Sequence, residues 1–159
     1  MNVAKESMEI RTYNAQDKED LLNIFDSNCP KYFDRNDRED LADFLEKYAD
    51  NNFKVITIEN DVVGCGGYYT NHTAKVFGIA WVMFKRFALG RKTFSKLSTG
   101  FFEYLVSQIN KEKYDYDIVI NTTQLLEKTF NRFGFITEKK IPNGFGENLD
   151  HYIMRRRTT

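Results

Sequence analysis

Cysteine is scarce in this chain: Cys29 and Cys65 are the only two among 159 residues. Two thiols make neither a disulfide framework nor a metal-ligand set. Net charge is missing as well, because 23 basic and 23 acidic side chains cancel. A balanced chain has no global field to draw it to nucleic acid or to an anionic membrane. No apolar run approaches membrane-spanning length. The opening MNVAKESMEIR has no apolar centre of the kind a secretion signal carries. Repeats, low-complexity tracts and linkers are not found. These absences lead to the expectation of one domain over residues 1–159, reduced and cytoplasmic, with no metal, nucleic-acid or membrane partner.

Aromatic side chains are plentiful, with 14 Phe and 9 Tyr, so the core is expected to be built around rings. The organising stretch runs from Lys75 to Thr122. Val76–Phe84 is a near-continuous apolar run, as in a strand buried on both faces. Lys85, Arg86, Arg91 and Lys92 then place four cations around Gly90. Phe94, Leu97, Phe101, Leu105 and Ile109 recur at steps of three and four, one face of a helix. Tyr116–Ile120 is a second β-branched run. Two strands joined by a helix make a right-handed parallel crossover. The loop between them delivers backbone N–H groups and positive charge to a helix N-terminus, where an anion can bind.

The flanking chain reads in order. Glu9–Tyr13 is a strand, and Asn14 with Asp17 caps a helix burying Leu21, Leu22 and Phe25. Pro30 breaks that helix. Asp34 or Asn36 caps a second one, striped by Leu41, Phe44, Leu45 and Tyr48. Phe53–Glu59 and Val62–Tyr69 make a hairpin about the Asn60-Asp61 turn. After the central unit, Leu125–Phe133 is a short helix closed by Gly134. Phe135–Ile141 and Leu149–Arg155 are strands joined by the turn PNGFGEN, and Arg155-Arg156-Arg157 reads as a frayed polar end.

The order β-α-α-β-β-β-α-β-α-β-β resembles the GNAT superfamily of acyl-CoA-dependent N-acyltransferases over Ile10 to Arg155. Three stretches carry the likeness. Asp61-Val62-Val63-Gly64-Cys65-Gly66-Gly67-Tyr68 resembles the family's hairpin strand. Trp81-Val82-Met83-Phe84, with the Gly90 loop and the helix after it, resembles the acetyl-CoA motif. Phe130-Asn131-Arg132-Phe133-Gly134-Phe135 resembles an aromatic-x-x-x-Gly-Phe signature. The implied fold class is α/β: a mixed, mostly antiparallel twisted sheet with a central parallel β-α-β unit and helices on both faces.

The acetyl-CoA motif departs from the family pattern, since Gly90 is its only glycine. Two registers are open. In one, Gly90 is the last glycine, with Lys85 and Ala88 at the earlier positions and a long helix following. In the other, Gly90 precedes the first glycine position, Lys92 and Phe94 stand where glycines are expected, and the helix starts near Ser95. The second suits helix length and the distance to Ile120 better. Either way Leu89, Gly90, Arg91, Lys92, Thr93 and Phe94 form the anion loop.

The resemblance implies acetyl-CoA as cosubstrate and a primary amine, on a small molecule or peptide, as acceptor; a homodimer stays open. It implies that the two central strands splay apart, so that Met83 and Phe84 touch the cofactor, with Asn121, Thr122 and Asn131 nearby. Relatives often carry a tyrosine general acid where this chain has Phe130. Tyr152, Tyr68 and Tyr69 are substitutes, each more often a core ring. Lys75–Phe84 contains no carboxylate, so a base on the central strand is absent. Asp34, Asp37, Glu147, His72 and His151 are left as candidates for proton transfer. Cys65, within a strand and without a histidine partner, reads as a small buried hydrophobe rather than a nucleophile. A non-catalytic acyl-CoA-binding module on the same fold is the alternative, motivated by Phe130 and the glycine-poor loop.

Overall fold

One seven-stranded sheet separates two helical layers in the structure, a computed structural model that describes residues 8–86 and 90–158. Strand β1 (Met8–Thr12) pairs antiparallel with β2 (Phe53–Ile58). Between them lie α1 (Lys18–Ser27) and α2 (Arg38–Lys47), each preceded by a 3₁₀ turn. Asn14 opens the first turn: its Oδ1 accepts from the Gln16 N–H, and its own N–H donates to Asp17 Oδ2, both at 3.0 Å. Of the two caps expected for the second turn, Asp34 acts, its Oδ1 accepting from the Asn36 N–H at 2.8 Å. These side chains satisfy N–H groups that a helix start leaves without partners.

Strand β3 (Asp61–Asn71) pairs antiparallel with β2, and β4 (Val76–Phe84) pairs antiparallel with β3. Helix α3 (Arg91–Asn110) then crosses over to β5 (Asp117–Thr122), which lies parallel to β4. Helix α4 (Glu127–Arg132), β6 (Ile136–Gly146) and β7 (Leu149–Arg156) complete the chain. The strand order is β1-β2-β3-β4-β5-β7-β6, with β4–β5 the one parallel pair.

Each sheet face buries its own core. Leu21, Phe25, Leu41 and Leu45 of α1 and α2 pack on Phe53, Val55, Cys65 and Met83. On the other face Leu97, Phe101, Leu105 and Ile109 of α3 pack on Phe77, Ile79, Ile118 and Met154. The helical stripe read from the sequence is therefore the buried one from Leu97 on, while Phe94 at its start is exposed. Cutting a large core ring down to alanine typically costs about 3–5 kcal/mol.

Three expectations are corrected. Helix α3 starts at Arg91, not near Ser95. Gly90 is its extended N-cap (φ −64°, ψ 158°), and the first helical bond runs from the Phe94 N–H to the Gly90 carbonyl at 2.8 Å. Nothing from Arg91 to Phe94 breaks a helix, so the helix runs back to the glycine, the long helix that goes with Gly90 as the last glycine. Leu89 lies outside the described residues. Second, β6 runs through Gly146, so only Glu147-Asn148 turns the chain rather than all of PNGFGEN. Side chains take over part of the ladder's work: the Asn143 N–H donates to Asp150 Oδ1, and the Asn148 N–H to Asn143 Oδ1, both at 2.9 Å. Third, Arg155 and Arg156 belong to β7. Arg155 is held by Glu138 at 2.6 Å and Asp117 at 3.2 Å, which fixes an end that polarity alone had suggested was frayed.

Candidate functional site: the split between the parallel strands

Strands β4 and β5 pair only over Val76–Ile79 and Asp117–Ile120. Beyond these residues β4 runs on to Phe84 and β5 to Thr122, with no pairing between them. What turns β4 aside is a β-bulge. Cys65 lies opposite Met83 and Gly67 opposite Ala80, so Trp81 and Val82 together face Gly66 alone. A bulge bends its strand and sharpens the local twist. Trp81 adopts φ +55°, a left-handed conformation costing a non-glycine residue about 1–3 kcal/mol. Gly66 makes room for it: a Cβ there would lie 2.8 Å from both Phe101 Cε2 and Val82 Cγ2.

The diverging end of β4 is anchored on the side away from β5. The Trp81 ring packs among Phe25, Phe33 and Phe44, with centroids 6.2–6.4 Å apart. The Trp81 carbonyl accepts from Cys65 Sγ at 3.2 Å. Asn28, buried at the end of α1, donates through Nδ2 to the carbonyls of Ile24 and Phe84, both at 2.9 Å. Lys85 closes the set, its N–H donating to the Val63 carbonyl at 2.8 Å. Strand β5 is held the other way by β7 through Asn121 and Thr122. The opening is thus a product of strand pairing, bulge and tethers together.

Three polar features border it. The first is the start of α3. Gly90 provides no side-chain cap, the first turn holds no acid, and Arg91 and Lys92 are exposed there. The N–H groups of Arg91, Lys92 and Thr93 precede the first helical bond, so this end favours an anion by both its donors and its charge. Phe94, 41% exposed, stands edge-on to Phe84 with centroids 5.5 Å apart. The second is Thr123, just past β5. It is buried, yet its hydroxyl has no hydrogen-bond partner among the described residues, and it makes no cap bond to the turn it precedes. An orphaned buried hydroxyl costs about 1–3 kcal/mol, which a bound partner would recover.

The third is His151. Its Nε2 lies 2.7 Å from Asn121 Oδ1. An amide oxygen only accepts, so with this assignment Nε2 carries the proton and Nδ1 keeps a lone pair. Phe145 lies against the imidazole at 4.3 Å between centroids. Burial, with help from the Lys139 charge, lowers the His151 pKa, which favours the neutral ring. Ile120, Thr122 and Met154 alternate with Asn121, Ile153 and His151 along their strands. The first set faces α3 and α4, so His151 and Asn121 lie on the α1/α2 side, as Trp81 does. The β6–β7 end roofs this side. Gln124 ties it down, donating to the Asn148 carbonyl and accepting from the Asp150 N–H, both at 2.8 Å. A Cβ on Gly146 would strike Asp34, so the α1–α2 connection and this turn meet.

Other sequence candidates fall elsewhere. Met83 is 2% exposed in the α1/α2 core, so its side chain is not available to a ligand in the split. Tyr68 donates to Glu112 Oε1 at 2.7 Å, beside the C-terminal end of α3; burial and that carboxylate push its hydroxyl pKa far up, so it is no acid for this site. Tyr69 lies over Gly78, where a Cβ would collide with its ring. His72 sits edge-on to Tyr114 and Tyr116 at the closed end of the β4–β5 pair. Cys65 is fully buried, and burial raises its thiol pKa beyond any nucleophilic role at neutral pH. Phe130 is a core ring, 5.5 Å from Phe102 and 6.0 Å from Phe135. Asn131, Glu147 and Thr93 are exposed, and Tyr152 is half-buried with the Lys140 ammonium 5.1 Å from its ring centre. Asp37, raised by burial and by Asp34 and Asp40, starts α2. Sequence reading placed Trp81 in a motif but not its left-handed turn, and it missed Asn28, because neither a left-handed tryptophan nor a distant carbonyl tether leaves a local pattern. No metal-binding cluster of His, Cys, Asp and Glu occurs among the described residues, and no described helix is long and apolar enough to cross a membrane.

No family model matches the sequence, and no curated protein is similar to it. Solved structures are. A protein from Desulfovibrio desulfuricans assigned to the GNAT acetyltransferase family superposes with a TM-score of 0.75 at 14% identity, over 96% of this chain and 100% of that one. The protein yncA from Salmonella typhimurium, assigned as an acetyltransferase and solved with acetyl-CoA, gives 0.67 at 15% identity, over 96% and 95%. N-acetylglutamate synthase from Neisseria gonorrhoeae, complexed with coenzyme A and N-acetyl-glutamate, gives 0.70 at 16% identity; there the match covers 98% of this chain but 36% of the longer enzyme. At such identities the likeness speaks to architecture, and this chain has the fold of the GNAT acetyltransferases.

Proposed function

We propose that the chain is an N-acetyltransferase, moving the acetyl group of acetyl-CoA to a primary amine by direct attack while both substrates are held. The observation that carries this reading is the β4–β5 split, opening between an uncapped helix start on one side and the His151–Asn121 pair on the other. Acetyl-CoA supplies an activated acyl group and a thiolate leaving group. The residues present fit it: the Arg91, Lys92 and Thr93 N–H groups, with two cationic side chains, suit a pyrophosphate. Thr123 and the unpaired edges of β4 and β5 suit the polar arm that leads to the thioester.

The acceptor approaches from the α1/α2 side, along the wall made by Trp81, His151 and the β6–β7 turn. A primary ammonium has a pKa of about 10.4, so it must lose a proton before it can attack. His151 takes that proton at Nδ1, while Asn121 fixes the ring through Nε2. Orientation in the split and backbone N–H groups along β4 supply the remaining assistance. Phe130 has no hydroxyl, so the thiolate leaves without a tyrosine at that position; a thiol pKa near 8.5 makes this tolerable. The amine acceptor is a small molecule or a peptide end.

Phe130 also favours a second reading, a non-catalytic acyl-CoA-binding module. Release of free thiol from acetyl-CoA in the presence of a panel of primary amines separates the two. Amine-dependent release supports the enzyme, whereas binding without release supports the module.

A further inference from the structure

A second cleft in the described structure lies apart from the split. It has a volume of about 600 Å³ and lies between the C-terminal half of α3, the end of α4 and the end of β7. Its α3 wall begins at Phe102, eleven residues after Arg91, which places it about 16 Å down the helix axis from the uncapped N-terminus. Three guanidinium groups line it: Arg132, Arg156 and Arg157. None of them has a carboxylate partner among the described residues, in contrast to Arg155 next in sequence, which has two. Glu103 is the single acid in the lining, leaving two positive charges in excess.

Ser107 and Asn110 add polar groups to the wall, and its apolar surface is the half-buried Phe133 ring. Phe102, 4.4 Å from that ring between centres, and Val106 are buried behind it. Arg156 is positioned by packing, since its Cδ and Nε would sit 3.7 and 3.8 Å from a Cβ on Gly134, against which its stem runs. Guanidinium forks match carboxylate and phosphate oxygens two at a time. A concave site of this volume, with convergent guanidinium groups beside an aromatic ring, is of the size that holds a small molecule.

We propose that this cleft is a second ligand site, taking a small organic dianion whose charged end meets the arginines and whose apolar body lies on Phe133. Dicarboxylates and phosphomonoesters share this chemistry. The proposal is independent of the acetyl-transfer reading, because no residue of the split lines the cleft.

The test is an NMR titration of the full chain with three probes: phthalate, phenyl phosphate and inorganic phosphate. The expected result is saturable movement of the Ser107, Asn110 and Gly134 amides with phthalate or phenyl phosphate, whichever of the two fits better, and binding at least tenfold weaker for inorganic phosphate, which lacks the apolar body. Arg132→Gln combined with Arg156→Gln should weaken the better probe at least tenfold while leaving the melting temperature and the response to acetyl-CoA unchanged. Movement that never saturates, equal affinity in the double variant, or movement centred on Arg91–Phe94 would overturn the proposal. Binding of inorganic phosphate as tight as the aromatic probes would overturn it too. If the double variant melts early, Arg157→Gln alone serves, with a fall of at least threefold expected and no fall counting against the site.

Discussion

Chemistry at the residue scale turns on His151. Its side chain is half-buried, oriented by Asn121 and covered on one face by Phe145. Its pKa lies below the ordinary value because burial and Lys139 disfavour the imidazolium. A base works only when neutral, so activity should rise with pH through an inflection below about 6.5 and be flat above it. His151→Ala should lower turnover about a hundredfold to ten-thousandfold at neutral pH and abolish that inflection, which a pH–rate profile measures directly. Equal profiles in both proteins would remove His151 from the mechanism. Phe130 makes a separate case. Phe130→Tyr adds only a hydroxyl to a ring packed against Phe102 and Phe135. Turnover should increase modestly, most clearly below the thiol pKa of about 8.5. An unchanged profile would mean that thiolate departure is not limiting or that the ring is remote from the sulfur.

Among the elements, β4 decides the site. Its first four residues pair with β5, its bulge turns it aside, and its end hangs on α1 through Asn28. Asn28→Ala removes one side chain from two carbonyls, of which that of Phe84 is the informative one. The loss should cost about 1–3 kcal/mol of stability by denaturant unfolding and weaken acetyl-CoA binding as well, because the strand end is then free to drift. A variant that loses stability but binds normally would show that the tether supports only the fold. Much of this element was legible in advance. The apolar run Val76–Phe84 is the strand, and the stripe from Leu97 to Ile109 is the buried helix face, since each follows from burial on one or two sides. The start of α3 lies four residues before the expected Ser95, because that expectation rested on helix length and the distance to Ile120, whereas nothing in Arg91–Phe94 stops a helix. The polar pair His151–Asn121 joins β7 to β5 across 30 residues. Only tertiary pairing creates it, so no local pattern could have announced it.

For the whole molecule, the ion pair between half-exposed Arg11 and buried Asp17 contributes to the response to acid. Arg11 grips Asp17 with two bonds of 2.8 Å, and the Asn14 N–H adds a third at 3.0 Å. Burial alone would raise the Asp17 pKa, but these bonds overcome it and hold it lowered. A depressed carboxylate stabilises the fold above its unfolded pKa of about 3.9, and that contribution fades as pH falls through the folded value. Stability should therefore drop below about pH 4. Arg11→Ala should cost about 1–3 kcal/mol at neutral pH, toward the lower end because Arg11 is 38% exposed, and should flatten that acid limb. Thermal unfolding of both proteins between pH 2.5 and 7 measures it (a range chosen around the carboxylate pKa). The reading of the molecule as an acetyl-CoA enzyme rests on the split and the start of α3 acting together. Its most direct test is the melting temperature with increasing acetyl-CoA, for the wild-type chain and for Arg91→Glu combined with Lys92→Glu. The account predicts a rise equivalent to about 2.7 kcal/mol at a hundred times the dissociation constant. The double variant should need at least tenfold more ligand for the same rise. A wild-type melting temperature that does not move at millimolar acetyl-CoA would contradict it.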